Sequence, residues 1–466
     1  MNNDIAALIT QSLVWISLIY LMARHSLSLA ACLISFRALQ NYARKLKSVD
    51  IESLLKAAGA PPLSILVPVY NASGESVSCL KHLLQLRYPE LDLIMINDGS
   101  SDNTLELLKE IFQLHPMSRF PVSELPCRPI NAVYQSQLHP RLWVIDKERG
   151  GNADALNAGL NFCQTPLFCT TYVTMILERN ALLRALRPFL ENAATVAVSG
   201  IVRVRNGCSL ENGEITTVKM PEERLVQLQI LEHLRFFLVS YMAGSALRGL
   251  LLISGAFAVF RRAMVVEAGG YDARYQAETP ELILRLHRFC QETKRPYHID
   301  FIPDPVAWHE CPSEMAEVRS QHMKWQKGVT EALLHHRSML WKKGTGRIGW
   351  FLYPLFMLTE IWGPVLEVLG YILVIAGGIL GWVPPLLILA FALAAFVMGS
   401  TSATLAVALG ELTPRRYSEA DLRQLTRTAW LENLGYQQLR TLWRLQATWK
   451  ALRKGKKGQV PVSLEF

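Results

Sequence analysis

The sequence has no CxxC pair: its eight cysteines, Cys32, Cys79, Cys127, Cys163, Cys169, Cys208, Cys290 and Cys311, are scattered along the chain. That spacing argues against paired-cysteine metal or redox chemistry. Several lie inside apolar runs, as reduced core cysteines do, which places the main domain in a reducing compartment. His309-Glu310-Cys311 has no second ligand pair nearby, and adjacent side chains rarely converge on one ion, so it does not read as a metal centre. The chain also lacks an aromatic-studded basic patch, despite a formal charge of +9 and a pI near 9.1. No nucleic-acid partner is expected. Nor does a basic segment precede the first apolar stretch, which disfavours a cleaved signal peptide.

What is present is apolar. Hydrophobic residues make up 50% of the 466, and the mean hydropathy of +0.18 is high for a purely soluble protein. From about Ile5 to Ala38 the chain reads as one anchor helix, long enough to span a bilayer. Arg24 inside it is costly unless it faces other protein. Trp350–Glu360 is too short to span and is expected at the interface, whereas Ile361–Gly381 and Pro384–Leu409 each read as a span. Basic residues follow the spans: Arg37, Arg44, Lys45 and Lys47, then Arg415, Arg416, Arg423 and Arg427, then Lys450, Arg453, Lys454, Lys456 and Lys457. This positive-inside pattern puts the N-terminus outside and the chain after Arg37 in the cytoplasm. A membrane is the first expected partner.

Between these segments lies an α/β pattern. Ser64–Val67 and Leu91–Ile96 are short apolar runs of strand length, and Cys79–Tyr88 carries apolar residues at helical spacing, which gives strand, helix, parallel strand. Both strands end in polar turns, Pro68-Val69-Tyr70-Asn71 and Asn97-Asp98-Gly99-Ser100, where open α/β sheets bind ligands. Asp98 beside Gly99 suits a nucleotide; an Asx-type turn that only caps a helix is the plainer reading. Pro116–Arg141 reads as a long loop. Leu142–Ile145 is a third strand, and its Gly150-Gly151 turn opens a helix at Asn152 and Asp154 suited to an anion. Leu167–Thr171 and Val196–Asn206 are further strands, and Glu223–Leu252 has a helical period. Ser254-Gly255-Ala256 is a turn that allows close approach or merely close packing.

Strand ends reading PVYNA and INDGSSDNT, with SGAFAVFRRAMVVEAGGYD and the phrase ILER, resemble the family 2 glycosyltransferases, inverting enzymes that use nucleotide-diphosphate sugars. The resemblance covers nearly the whole chain and is to the synthases of poly-N-acetylglucosamine, cellulose and hyaluronan. It implies a GT-A (Rossmann-like) nucleotide-sugar domain with transmembrane and interfacial helices. Pro68, Tyr70, Asn71, Asp98, Gly99, Asn152, Asp154, Ser254, Gly255, Gln321, Lys324 and Trp325 then hold nucleotide or sugar. The departures are as informative. Tyr172 and Thr174 stand where the family carries the two aspartates of DxD, which hold Mg²⁺ or Mn²⁺. Thr279, after Glu278, stands at the general base, with Glu278 or Glu281 as substitutes. Asn152 replaces a lysine, and Lys324 replaces the arginine of QxxRW, where a point charge cannot clasp phosphate with two parallel bonds.

The expected organisation is an anchor at 1–38, a linker at 39–62, a cytoplasmic GT-A-like domain at 63–345, transmembrane and interfacial helices at 346–410, and a basic amphipathic tail lying on the membrane at 411–466. No metal site is expected, and Mg²⁺ or Mn²⁺ enters only if the chain is active. The losses together imply a catalytically degenerate subunit or regulator of bacterial exopolysaccharide synthesis at the inner membrane, bound to a nucleotide or to another synthase or export subunit. The alternatives are an active inverting glycosyltransferase with divergent ligands, and a scaffold or receptor that binds no nucleotide.

Overall fold

The computed structural model describes residues 2–48, 59–211, 214–414 and 417–454. Most of the expected linker, Arg415, Arg416, Lys456, Lys457 and the terminal GKKGQVPVSLEF lie outside these. The chain divides into two compact units, one of residues 2–39, 219–246 and 311–454 and one of 40–218 and 247–310. The segment expected as one domain at 63–345 therefore contributes to both.

Helix α1 (Asn2–Ser48) runs well past the expected anchor boundary at residue 38. Its last turns belong to the α/β unit, where the Tyr42 hydroxyl donates to Asp304. The α/β unit continues with β1 (Leu63–Val69), α2 (Ser73–Leu83), β2 (Leu91–Asp98), α3 (Thr104–Phe112), β3 (Leu114–Pro116), β4 (Ile130–Ser136), β5 (Leu142–Lys147), α4 (Asn152–Phe162), β6 (Leu167–Thr171), β7 (Ile176–Leu177), α5 (Ala181–Glu191) and β8 (Thr195–Val204). A hairpin of β9 (Ser209–Glu211) and β10 (Glu214–Thr217) follows.

After residues 219–246, which carry α6 (Arg224–Leu234) and α7 (Met242–Ala246) of the other unit, the sheet is completed by β11 (Phe257–Arg261), with α8 (Arg262–Glu267), α9 (Glu278–Glu292) and β12 (His298–His309). The described residues form a ten-stranded sheet in the order β3-β4-β5-β2-β1-β6-β11-β8-β12-β7. Strands β5, β2, β1 and β6 are parallel, so Lys147, Asp98, Val69 and Thr171 end at one edge. That shared edge positions the candidate site. Strand β1 is buried at every residue, as a central parallel strand must be. Pro68 has no N–H to give, and it falls beyond the pairing with β6, which stops at Leu66.

The region 116–141 is not the loop expected from its prolines. β4 pairs antiparallel with β5 and with β3 at the sheet edge, and its apolar residues match no simple alternation because the strand is only half-buried. The helical period of 223–252 also ends early, at Ala246, after a π-helical turn at Arg235–Tyr241.

The helical unit contains α10 (Met315–His335), α11 (Ile348–Ile379), α12 (Pro385–Gly410), α13 (Glu419–Leu431) and α14 (Tyr436–Lys454), besides most of α1. Among the described residues three helices are long and apolar enough to cross a membrane: Asn3–Leu46, Ile348–Ile379 and Pro385–Gly410. The segment 350–360, expected at the interface, is continuous with the following span, because π-helical turns at Ile348–Leu352 and Leu358–Trp362 carry the backbone through without a break. Arg24 does face protein: Nη1 lies 2.5 Å from Oε1 of the buried Glu367 on α11, whose other oxygen accepts from Thr441 Oγ1 of α14 at 3.2 Å. Pairing is what makes such a charge tolerable between apolar helices. Helix α14 buries Thr441, Trp443 and Ala447, so the tail is a packed member of this unit.

Candidate active site at the strand ends

The turns after β1 and β2 are stitched to each other. Asn71 adopts a left-handed backbone at φ +48°, which asparagine tolerates better than most residues. Its Oδ1 accepts from Ser101 N at 2.8 Å, and its own N–H donates to Ser100 Oγ at 3.0 Å. Ala72 N donates to Thr104 Oγ1 at 3.1 Å, and Asp102 Oδ1 accepts from Thr104 N at 3.0 Å at the start of α3. Ser100 and Asp102 thus serve the turns, whereas Asp98 does not cap the helix as the Asx-turn reading of NDGS would have it.

Asp98 is held from a different side. Lys147 Nζ lies 2.7 Å from Asp98 Oδ1 and 2.6 Å from Asp154 Oδ1, and the lysine is fully buried. Gly150 N donates to Asp98 Oδ1 at 2.9 Å and Gly151 N to Oδ2 at 2.7 Å, while Asp154 accepts from Arg128 N at 3.0 Å. An ammonium between two carboxylates, with backbone N–H groups on the remaining lone pairs, compensates charge that burial would otherwise penalise. Asn152, the first residue of α4, follows immediately. Sequence reasoning did not single out Lys147. Its signal was a lysine directly after a buried strand and just before the glycine pair.

The turn that Asp98 grips carries Arg149 across the strand ends. Gly99 has φ +65°, and a Cβ there would stand 2.7 Å from Arg149 N, so only glycine lets the two turns cross. The Arg149 guanidinium lies 3.5 Å from the centroid of the Tyr70 ring and donates to the Tyr70 hydroxyl.

A second cluster forms where β6 ends. The Tyr172 hydroxyl donates to Glu278 Oε1 at 3.1 Å. A Cβ on Gly255 would come 2.8 Å from both Tyr172 Oη and Thr279 Oγ1, so Gly255, Tyr172, Glu278 and Thr279 meet at one point, and Ser254 Oγ accepts from Ala256 N in the same turn. Burial raises the Glu278 carboxyl above its usual range. Burial, then the neighbouring Glu278 charge, pushes the Tyr172 phenol well above 10. Thr174 is exposed. Glu281 forms an ion pair with Arg285 at 2.8 Å, one turn along α9, which ties it to helix packing.

A hard divalent ion needs several oxygen ligands, and negative charge to retain it. Positions 172 and 174 supply a phenol and an exposed threonine hydroxyl, and the one carboxyl beside them is engaged by that phenol. These residues do not fit Mg²⁺ or Mn²⁺.

Gln321, Lys324 and Trp325 lie on α10, in the helical unit. Gln321 and Trp325 are exposed, and the Trp325 ring meets Phe236 edge-on at 5.6 Å. Nearby, His322 Nε2 is 3.1 Å from Glu232, which Arg440 of α14 also engages at 2.8 Å. Burial alone would raise the Glu232 carboxyl, but Arg440 and His322 together hold it well below the usual range.

Residues 64–267 match the model of the family described as glycosyl transferase family 2. Over 273 residues the chain is 25% identical to a poly-β-1,6-N-acetyl-D-glucosamine synthase of Staphylococcus epidermidis, a match covering 58% of this chain and 55% of that one. A synthase of the same name from Staphylococcus aureus (strain MSSA476) is 24% identical over 272 residues, with the same coverage. The chain thus spans about half the length of the curated relatives it matches. A mannosyltransferase from Pyrobaculum calidifontis, solved in complex with GDP-Man and Mn²⁺, superposes with a TM-score of 0.53 at 16% identity, over 88% of this chain and 99% of its own; at that identity the likeness establishes the GT-A fold alone. Residues 64–267, which carry Asp98, Arg149 and Tyr172, thus match the family 2 glycosyltransferase model within a sheet of GT-A fold, in a chain similar to the poly-N-acetylglucosamine synthases.

Proposed function

We propose that this chain is a membrane-held, catalytically degenerate family 2 glycosyltransferase, acting as a subunit or regulator in bacterial exopolysaccharide synthesis. The α/β unit faces the cytoplasm at the inner membrane, and the functional partner is another synthase or export subunit. The observation that carries the reading is the 3.1 Å hydrogen bond from Tyr172 to Glu278, beside Thr279. Inverting transfer needs a base within reach of the acceptor hydroxyl and stabilisation of the departing diphosphate. At the positions that resemble the family's metal and base aspartates, this chain places a phenol and hydroxyls. Threonine does not take a proton at neutral pH, and a missing base typically costs about 10² to 10⁴ in rate.

A second reading is favoured by Glu278 itself, a carboxyl one residue before the base position whose burial tunes it toward proton acceptance. In that reading the chain is an active inverting enzyme without a metal. Incubating the purified chain with UDP- and GDP-linked sugars, with and without Mg²⁺ or Mn²⁺, separates the two. The degenerate subunit releases no nucleotide above the rate of a Glu278→Gln variant. Release that Glu278→Gln abolishes establishes the active enzyme instead.

A further inference from the structure

We propose that Arg149 is a built-in cover over the position where a nucleotide base would stack, so that a nucleoside diphosphate enters the strand-end cleft only by displacing its guanidinium from Tyr70. The proposal rests on reading that cleft as the nucleotide site of the degenerate glycosyltransferase. It goes further by naming the group that controls access.

Three observations converge on Arg149. Its guanidinium covers the Tyr70 ring face at 3.5 Å and also engages the Tyr70 hydroxyl, so the aromatic surface at the end of β1 is occupied by a planar group of this chain. Arginine planes and aromatic rings are the surfaces on which bases stack, so a base and this guanidinium compete for one ring face. The backbone that presents Arg149 is fixed: Gly150 N and Gly151 N are bonded to Asp98, and Asp98 is bonded to the buried Lys147. Gly99 leaves the space through which that backbone crosses β2.

Asp98 and Lys147 are positioning residues in this arrangement. Both Asp98 oxygens are spent on the turn, which removes the carboxylate expected to receive the nucleotide and converts it into the clamp that aims Arg149. The Arg149 side chain beyond its backbone is exposed. It can swing aside without breaking the clamp.

An exposed cation–π contact with one hydrogen bond is a weak closure, so removing it changes affinity modestly. The test is calorimetric titration of the full chain in detergent with UDP and with GDP, in EDTA, comparing wild type, Arg149→Ala and Arg149→Lys. Arg149→Ala is expected to bind both nucleotides on the order of threefold to tenfold more tightly than wild type, with the lysine variant between. The gain should appear for pyrimidine and purine alike, because ring-face stacking does not read the base. Unchanged or weaker binding by Arg149→Ala overturns the proposal, and marks Arg149 as a bystander or as a ligand. Binding by none of the three also overturns it but leaves the degenerate-subunit reading standing. Sugar release by the wild type would overturn that reading while leaving the Arg149 comparison intact. Equal melting temperatures for wild type and Arg149→Ala serve as the check that the exposed side chain was removed without disturbing the fold.

Discussion

Two clusters sit at the ends of the parallel strands of one mixed sheet, and they handle charge in different ways. At the ends of β2 and β5, Asp98, Lys147 and Asp154 keep full charges in the interior by pairing them, with backbone amides on the remaining lone pairs. At the end of β6 and the start of α9, a phenol and a threonine hydroxyl stand beside a single carboxyl, Glu278, which accepts from Tyr172 and whose pKa burial raises. The first arrangement is rigid and intolerant of losing one member. The second is more tolerant of change, since a single hydrogen bond contributes far less than a buried ion triad.

The largest expected effect falls on the charged cluster. Lys147→Met leaves two buried carboxylates facing each other, and should lower the unfolding free energy of the chain by about 3–5 kcal/mol, read as a drop in denaturation midpoint. A loss as small as that of a surface lysine would mean that solvent reaches the triad, and the contrast between clusters would fail.

Next comes the introduction of charge into the neutral cluster. A Tyr172→Asp/Thr174→Asp/Thr279→Asp variant should be less stable without metal and should regain stability when Mn²⁺ is added, because the ion supplies the missing opposite charge. The wild type should show no such shift.

The pH dependence distinguishes the clusters again. Glu278 has a folded-state pKa raised by burial, so its contribution to stability is intact below the ordinary glutamate pKa and is lost as pH rises through the folded value. Glu278→Gln should therefore melt increasingly above the wild type as pH is raised through that window, with the difference levelling off beyond it. A difference that does not vary with pH would show the carboxyl to be solvated. The smallest effect is expected of Tyr172→Phe, which removes one hydrogen bond to Glu278 and should cost about 1 kcal/mol in the same melts.

The buried strands and the GT-A frame were legible because parallel strands declare themselves as short apolar runs, as Leu63–Val69 and Leu91–Asp98 do. The three helices long and apolar enough to cross a membrane were legible as long apolar runs, except that 350–360 was expected outside them. Strand β4 was not, because Ile130–Ser136 is a half-buried edge element embedded among prolines, and its pairing partner β5 is what selects its conformation. Lys147 was missed because a lysine at a strand end ordinarily points to water; only the fold brings Asp98 and Asp154 to either side of it. Likewise Tyr172 and Thr279 were legible as departures from a resembling motif, but their meeting at Gly255 depends on α9 returning to the end of β6. Local patterns were readable, whereas pairings across many residues were not.

In the proposed reading, the Tyr172 phenol and the Thr174 and Thr279 hydroxyls stand where a metal and a base would need carboxylates. Titration of the detergent-purified wild type with UDP and GDP, with and without Mg²⁺ or Mn²⁺, decides whether these positions take a metal. The affinities should not respond to the metal, since Tyr172 and Thr174 give it no charged ligands. Binding that is tight only when Mg²⁺ or Mn²⁺ is present would mean that the cleft holds a metal after all and that the degenerate reading is wrong.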